Sequence, residues 1–278
     1  MRKVRIKWKN LFLLIILFTS FISLFISVLN IVRWKLYSNK TEKQVIEIHK
    51  IENIKEVLDN EKTEIIEQKE EIKKSDPYWD YLNMNLIDVD LNKIKDKNSD
   101  TVGWITVGGT SINYPFVQTT NNDYYLKKSF DKSYNTGGWI FLDYRNNLEN
   151  LNKNTIIYGH GRADKTMFGT LKNILHNGWL DNSDNFVVRL STVYENTLWQ
   201  VFSVYEIPTT SDYLHIDFVN DDEYMNFLNL IKDRSAYNFN TSVSVDDNIV
   251  TLSTCYNKKV KLVLHAKLIK KEVKAISE

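Results

Sequence analysis

The pattern of apolar and polar positions divides the chain into parts of different character. Residues 11–32 carry no charged side chain, and at about 1.5 Å rise per residue a helix of this length crosses a hydrocarbon layer of roughly 30 Å. Residues 41–74 contain 17 charged residues and neither Gly nor Pro. From residue 76 onward, short β-branched and aromatic runs alternate with turn residues. We therefore predict a basic tail (residues 1–10), a membrane anchor (11–32), a helical stalk (33–75) and a globular domain (76–278).

The charges that flank the apolar run predict its orientation. Before the run stand Arg2, Lys3, Arg5, Lys7 and Lys9, and basic residues are sparser after it, so the N-terminus is expected in the cytoplasm. A cleaved secretory signal is the alternative, but its apolar region is usually about 7–15 residues and ends at small residues. We expect an uncleaved single-pass anchor in the cell membrane, with the remaining chain on the extracellular face.

The stalk is predicted from a repeat of apolar residues. Ile51, Leu58, Ile65 and Ile72 recur every seven positions, which indicates a helix that either pairs with a second copy or lies on the next domain. The heptad pattern is incomplete and favours the second arrangement. His49 is expected on a solvated face, and Pro77 is expected to end the helical region.

The globular domain is predicted to be mainly β. Helical periodicity is confined to residues 122–129, 167–175 and 221–235. Eight strands with few helices predict an eight-stranded β-barrel with peripheral helices, because closure leaves no exposed sheet edge; a mixed α+β sheet is the alternative. The eight β-like runs are residues 101–107, 112–117, 138–141, 154–158, 186–190, 198–207, 248–253 and 261–269.

Composition narrows the functional classes. The formal net charge of +1 argues against a nucleic-acid partner, and 43% hydrophobic residues suffice for one core without disulfides. One cysteine and five scattered histidines show no CxxC, HxxxH or HExxH spacing, so we expect no metal and no other cofactor.

The single cysteine, Cys255, is the candidate nucleophile. It ends an apolar run in the string Thr-Leu-Ser-Thr-Cys, and exported proteins use cysteine mostly in disulfide pairs. A small buried apolar side chain is the alternative. A thiol with a pKa of about 8.5 needs a base at neutral pH. His160 ends another β-like run between two glycines, and neighbouring strand ends would bring it to Cys255.

The other histidines are weaker candidates for that base. His176 follows a helix in a polar loop and is expected to be exposed, whereas His215 and His265 lie in segments near the presumed cleft.

These strings resemble those of the sortases, the membrane-anchored cysteine transpeptidases of Gram-positive bacteria. Beside Tyr158-Gly159-His160 and the string that ends at Cys255, residues 100–105, 122–126, 140–146 and 167–169 resemble family segments in the same order. The helix at 221–235, between the sixth and seventh strands, resembles the feature that distinguishes class B from class A. The resemblance covers about residues 78–268.

The resemblance implies a mechanism. Cys255 attacks the carbonyl after a threonine in the C-terminal sorting signal of a secreted protein and forms a thioacyl intermediate. An amine of a cell-wall peptide or its lipid-linked precursor then resolves the intermediate. His160 acts first as acid and then as base. Because the anionic sulfur attacks, a fraction of enzyme with Cys255 ionised and His160 protonated suffices.

One position departs from the family pattern. Lys261 stands where class B sortases carry an active-site arginine, and a lysine lacks the planar fork of donors. Lys261 would supply only a positive charge. Alternatively Lys258, Lys259, Arg145 or Arg162 supplies the cation, or Lys261 is an ordinary solvated strand residue.

The resemblance also assigns substrate contacts. Each of these residues has a structural alternative as a core, turn or locally bonded side chain. The assigned residues are Asn122, Leu126, Thr209, Tyr213, Leu214 and Ser253.

Competing functions differ in the acceptor or in the chemistry. A pilin-polymerising sortase would use a lysine of another subunit as the amine. Papain-like peptidases and LD-transpeptidases fit less well, because here the histidine precedes the cysteine by a long interval and the cysteine follows a strand. The departure at Lys261 motivates a catalytically impaired sorting-signal-binding protein, or a scaffold that acts through residues 41–74.

Overall fold

The computed structural model describes residues 8–58, 63–66, 77–255 and 259–274, and at Cys255 it describes the backbone. The chain forms two compact units, Met1–Lys43 and Gln44–Glu278. Helix α1 (Trp8–Ile51) supplies the described part of the first unit. Apolar side chains such as Leu17 and Phe18 are exposed along it, and its most apolar window has a mean hydropathy of 2.7. Within the described residues, α1 is the helix that is long and apolar enough to cross a membrane.

The predicted helical stalk is wrong at residues 54–57 and 63–65, where the chain forms strands. Strands β1 (Ile54–Val57) and β2 (Thr63–Ile65) follow α1, while residues 67–76, including Ile72, lie outside the described part of the chain. β1 pairs with β3 (Leu86–Val89), and β2 pairs with the last strand of the barrel. Backbone pairing with β3 and with the last barrel strand outweighs the local helical periodicity of residues 54–57 and 63–65.

Of the four residues in the predicted apolar repeat, Ile51 packs on the barrel, whereas Leu58 and Ile65 are exposed and Ile72 lies outside the described residues. Ile48 is buried, and Ile51, Ile54 and Val57 pack against the same core. His49 is not on a solvated face: its ring packs edge-on against Trp104, with centroids 5.8 Å apart.

The eight predicted strands are all present and close into the predicted barrel. Each barrel strand pairs with the next in the order β10, β7, β6, β5, β4, β8, β9, β11, and β11 pairs again with β10. All pairs are antiparallel except β5 with β6 and β7 with β10. The strands are β4 (Thr101–Val107), β5 (Asn113–Val117), β6 (Phe141–Leu142), β7 (Asn154–His160), β8 (Val187–Thr192), β9 (Glu195–Pro208), β10 (Ile249–Cys255) and β11 (Val260–Val273).

Helices surround the barrel. The most regular is α5 (Asp221–Asp233), whose N-cap Asn220 accepts a hydrogen bond from the backbone of Glu223. The predicted helices at 122–129 and 167–175 are 3-10 helices, Tyr124–Leu126 and Phe168–Leu175, and a third such helix is Ser183–Asn185. The remaining α-helices are α2 (Tyr78–Leu82), α3 (Asn92–Lys97) and α4 (Asn177–Leu180).

Two apolar clusters lie on opposite faces of β10 and β11. Leu252, Leu262 and Leu264 belong to the core inside the barrel. Ile249 and Val263 belong to a second cluster, which α5 covers with Tyr224, Phe227, Leu228 and Ile231. Because successive strand residues face opposite sides, the odd-numbered positions of β10, and those of β11 as far as the bulge after His265, lie outside the barrel. The outer face near α5 is therefore where residues 255 and 261 are found.

Candidate active site

Three strand ends bring His160, Cys255 and Lys261 into one row. Cys255 pairs with His160 across the parallel strands β10 and β7. Cys255 also pairs with Lys261 across the antiparallel strands β10 and β11. Neighbouring strands are about 4.8 Å apart, so the backbones of the three residues are adjacent. The structure thus brings together the three residues to which the sequence assigns catalysis.

The His160 side chain is partly buried and is influenced by a backbone carbonyl group and by two positively charged side chains. Its Nε2 lies 2.9 Å from the carbonyl oxygen of Leu126, to which it donates a hydrogen bond. Burial lowers the pKa of His160, and the positive charges of Arg162 and Lys261 lower it further, against a smaller opposing effect of the hydrogen bond to Leu126. The imidazole is therefore neutral at neutral pH and can accept a proton.

Lys261 is the cation that shares the row with His160. Its side chain is partly exposed, and its charge acts on the pKa of His160. The positive charge of Lys261 therefore favours the neutral form of the imidazole.

Both arginines considered as substitutes are bound to carboxylates. Arg145 binds Asp143 through Nε at 2.9 Å and Nη2 at 2.8 Å. Arg162 is buried and donates from Nη2 to Asp164 at 2.6 Å. Lys258 lies outside the described residues, and the backbone oxygen of Lys259 accepts a hydrogen bond from the backbone of Thr209 at 3.1 Å.

Asn122 belongs to a polar network around Asp143. Asp143 itself was not among the predicted site residues. The Asn122 amide donates to Asp143 at 2.9 Å, and the hydroxyl of Tyr158 donates to the same oxygen at 2.9 Å. Burial raises the pKa of Asp143, but hydrogen bonds from Arg145, Tyr158 and Asn122 outweigh it, and the pKa lies below its usual value. Asp143 falls within residues 140–146, which resemble a family segment. This resemblance is the sequence feature that could have pointed to Asp143.

Arg145 ties this network to another candidate substrate residue. Its Nη2 also donates to the carbonyl oxygen of Leu214 at 3.2 Å. The Leu214 side chain is partly buried against the cluster beneath α5. The segment after β9 is thereby joined to the loop that follows β6.

Tyr213 and Ser253 are buried and bound to each other. The Tyr213 hydroxyl lies 2.9 Å from Oγ of Ser253, and Ser253 stands two residues before Cys255 on the same strand. Both side chains are at least 97% enclosed, so they form a floor beneath the outer face rather than an exposed contact. Of the other candidates, Thr209 is exposed and Leu126 is partly buried against the barrel core.

The remaining histidines lie away from the row. His265 is completely buried, with its Nε2 2.9 Å from the Tyr205 hydroxyl and its Nδ1 2.8 Å from Oγ1 of Thr251. Burial lowers the pKa of His265 to about 3, so it is a neutral core residue and the expectation that it lies at the cleft is wrong. His176 is exposed as predicted, and His215 is exposed beside Phe218.

Comparison with known proteins identifies the family. The family model described as "Sortase domain" matches residues 105–269, which is more than half of the chain. The chain is 41% identical over 177 residues to sortase B of Staphylococcus aureus, covering 62% of this chain and 72% of that protein. Identity to sortase B of Listeria monocytogenes is 37% over 190 residues, covering 66% and 75%.

A solved structure agrees with these relatives. The Staphylococcus aureus sortase B-substrate complex superposes with a TM-score of 0.61 at 39% identity, covering 65% of this chain and 84% of that one. The chain belongs to the sortase family of cysteine transpeptidases, and within that family it is of class B.

Proposed function

We propose that this chain cleaves the C-terminal sorting signal of secreted proteins and transfers the acyl group to an amine of the cell wall precursor. The observation that carries the proposal is the row of His160, Cys255 and Lys261 across three neighbouring strands. A nucleophile, a base and a cation at adjacent positions are what acyl transfer through a thioester requires.

The first half of the reaction forms the thioacyl intermediate. The Cys255 thiol gives its proton to neutral His160, and the sulfur attacks the carbonyl carbon of the sorting signal. The carbon–nitrogen bond breaks, and protonated His160 returns the proton to the departing amine. The charge of Lys261 stabilises the oxyanion of the tetrahedral intermediate.

The second half transfers the acyl group. The incoming amine attacks the thioester carbonyl and loses a proton to His160, while the carbon–sulfur bond breaks. His160 then returns the proton to the Cys255 thiolate, which restores the enzyme. Atoms and charges balance without a cofactor.

Lys261 is proposed to act as a point charge where the family has a fork of donors. A lysine ammonium places positive charge at the oxyanion but does not offer two parallel donors. Loss of one aimed donor costs on the order of 10²-fold in rate. We therefore propose an active enzyme that is slower than an arginine version of itself.

The peptide groove is proposed to run along the outer face beside this row. The walls are the segments that carry Asn122 and Leu126 on one side, and Thr209 and Leu214 on the other. Tyr213 and Ser253 form the floor between them. The substrate complex of the Staphylococcus aureus relative supports the binding of a sorting signal by this chain.

The chain is proposed to be a single-pass protein of the cell membrane. Residues 11–32 would cross the membrane with residues 1–10 in the cytoplasm, and the barrel, from about residue 76, would lie on the extracellular face. The exposed apolar side chains of α1 support the anchor, and the basic residues before it support the orientation.

The test uses the full chain in detergent micelles with a panel of sorting peptides and several amines. We expect a mass increase on Cys255 with a cleaved peptide and a ligated product with the accepted amine, and no adduct with Cys255→Ala. Preference for a lysine side chain over a cell-wall peptide amine would indicate a pilin-polymerising enzyme instead. Peptide binding without any adduct would indicate the impaired binding protein.

A further inference from the structure

One edge of the His160 imidazole is closed by backbone. Nε2 faces the carbonyl oxygen of Leu126 at 2.9 Å. A β-carbon at Gly138 would lie 2.8 Å from Cδ2 of His160 and 2.5 Å from the carbonyl oxygen of Tyr125. Gly138 also has a φ of +58°, which favours glycine. The chain therefore approaches the imidazole more closely here than any side chain would allow.

The turn that contains Gly138 is held at both ends. The backbone N–H of Gly138 donates to the carbonyl oxygen of Asn135 at 3.0 Å, and Asn135 is fully buried. The backbone N–H of Trp139 donates to the carbonyl oxygen of Tyr125 at 3.0 Å. Trp139 is also fully buried, with its indole N–H bonded to the carbonyl oxygen of Pro115 at 2.9 Å. Gly138 and Leu126 thus belong to one backbone wall behind His160.

The hydrogen bond to this wall determines the position of the imidazole proton. A carbonyl oxygen only accepts, and a neutral imidazole has one N–H. The bond to Leu126 therefore requires the hydrogen on Nε2 and leaves the lone pair on Nδ1. Within the part of the chain that the structure describes, no hydrogen bond reaches Nδ1 of His160.

We propose that Gly138, together with the Leu126 carbonyl, is a positioning element that holds His160 as the Nε2–H tautomer. Nδ1 is then the nitrogen that exchanges protons with Cys255 and with the substrate amines. This inference rests on the proposed function and assigns the atom through which His160 performs it.

The assignment gives each nitrogen a separate task during the reaction. The proton of the Cys255 thiol moves to Nδ1, and the imidazolium then carries a hydrogen on both nitrogens. The Nε2–H bond to Leu126 persists and strengthens, because the donor is now charged. The same Nδ1 proton passes to the departing amine as the carbon–nitrogen bond breaks, so the ring does not turn during the cycle.

A side chain at position 138 would disturb this arrangement. The β-carbon of Gly138→Ala would contact both the ring edge and the Tyr125 carbonyl, and the turn cannot retreat because Asn135 and Trp139 hold it. The imidazole would have to move away and lose the bond to Leu126. A misplacement of about 1 Å can cost on the order of 10²-fold in rate.

The direct test is nitrogen NMR of the full chain in detergent micelles, labelled with ¹⁵N-histidine and assigned with His160→Gln. Above the pKa of His160, we expect Nε2 to show the shift of a protonated nitrogen and Nδ1 that of an unprotonated one. A protonated Nδ1 in the neutral ring would overturn the inference. This readout needs no turnover, so failure to form a thioacyl adduct would refute the proposed function and leave the tautomer result standing.

Two glycine variants test the positioning role of residue 138. We expect Gly138→Ala to lower kcat/KM for a sorting peptide about 10²-fold, mainly through kcat, and to shift His160 toward a mixture of tautomers. Gly178→Ala, in α4, is the matched control, because no heavy atom lies within 4 Å of its added carbon. Unchanged tautomer and kcat in folded Gly138→Ala would contradict the proposal. If that variant does not fold, the wild-type spectrum alone decides.

Discussion

His160 and Cys255 are directly paired residues at the ends of two parallel strands. Parallel strands require a crossover, and here the chain between them supplies β8, β9 and α5 before it returns as β10. Residues far apart in the sequence thus become neighbours on the outer face of the barrel. The same strand, β10, also pairs with β11 and brings Lys261 to the other side of Cys255.

The pH dependence of catalysis should reflect the low pKa of His160. Burial, Arg162 and Lys261 favour the neutral imidazole, so the acid limb of kcat/KM is expected below the ordinary histidine value of about 6.5. In Lys261→Gln one positive charge is lost, and the limb should move to higher pH. Lys93→Gln, an exposed residue of α3, makes the same charge change and should leave the limb in place. A shift to lower pH in Lys261→Gln would contradict the assigned charge effect.

The buried His265 should make folding sensitive to acid. Its folded pKa of about 3 lies below the unfolded value, so its contribution to stability is complete above the unfolded pKa and decreases as the pH falls toward 3. From about pH 7.5 to about pH 4.5 this amounts to roughly 3 kcal/mol.

The check is chemical denaturation of the full chain at both pH values. The loss of unfolding free energy on acidification should be smaller in His265→Gln than in the wild type by about that amount. His215→Gln, at an exposed histidine, should show the wild-type loss. Equal losses of unfolding free energy in all three proteins would mean that His265 takes up a proton as readily in the folded state as in the unfolded state, which would contradict this prediction.

Arg145 should contribute more to stability than an arginine whose carboxylate partner is exposed. Arg145→Met leaves the buried carboxylate of Asp143 without its cation, and we expect a loss of about 2 kcal/mol in unfolding free energy. Arg234→Met breaks a similar bidentate pair with the more exposed Asp212 and should cost less than about 1 kcal/mol. Urea denaturation measures both values. The reverse order would contradict the role given to the Asp143 network.

The Tyr213–Ser253 contact predicts a coupled effect. Tyr213→Phe and Ser253→Ala each remove one end of this buried hydrogen bond, and each should cost about 1–2 kcal/mol. The double variant should cost less than the sum, by about 1 kcal/mol. A double-mutant cycle of unfolding free energies tests this, with KM measured in parallel. Additive stability effects with a large rise in KM would favour direct contact with the substrate.

The strands and the candidate catalytic pair could be predicted because their signals are local. Contiguous β-branched and aromatic runs indicate each barrel strand, and His160 and Cys255 stand where two of these runs end. The strands β1 and β2 could not be predicted in the same way. Their residues have a helical repeat, and distant strand partners decide their conformation.

The surroundings of the site were less predictable than its residues. The partner of His160 is the carbonyl of Leu126, and a backbone oxygen has no signature in residue types. Tyr213 and Ser253 were assigned to substrate, and their mutual bond depends on the register of two strands and a loop. The close approach of Gly138 to His160 likewise follows from the turn between Asn135 and Trp139, which periodicity does not reveal.

The central claim is that Cys255 forms a covalent acyl intermediate with the help of His160. The most direct measurement is intact-protein mass spectrometry of the full chain after incubation with a sorting peptide and no amine. We predict one added acyl mass on Cys255, a much slower appearance in His160→Gln, and none in Cys255→Ala. A peptide that is cleaved without this adduct, or an adduct that persists in Cys255→Ala, would contradict it.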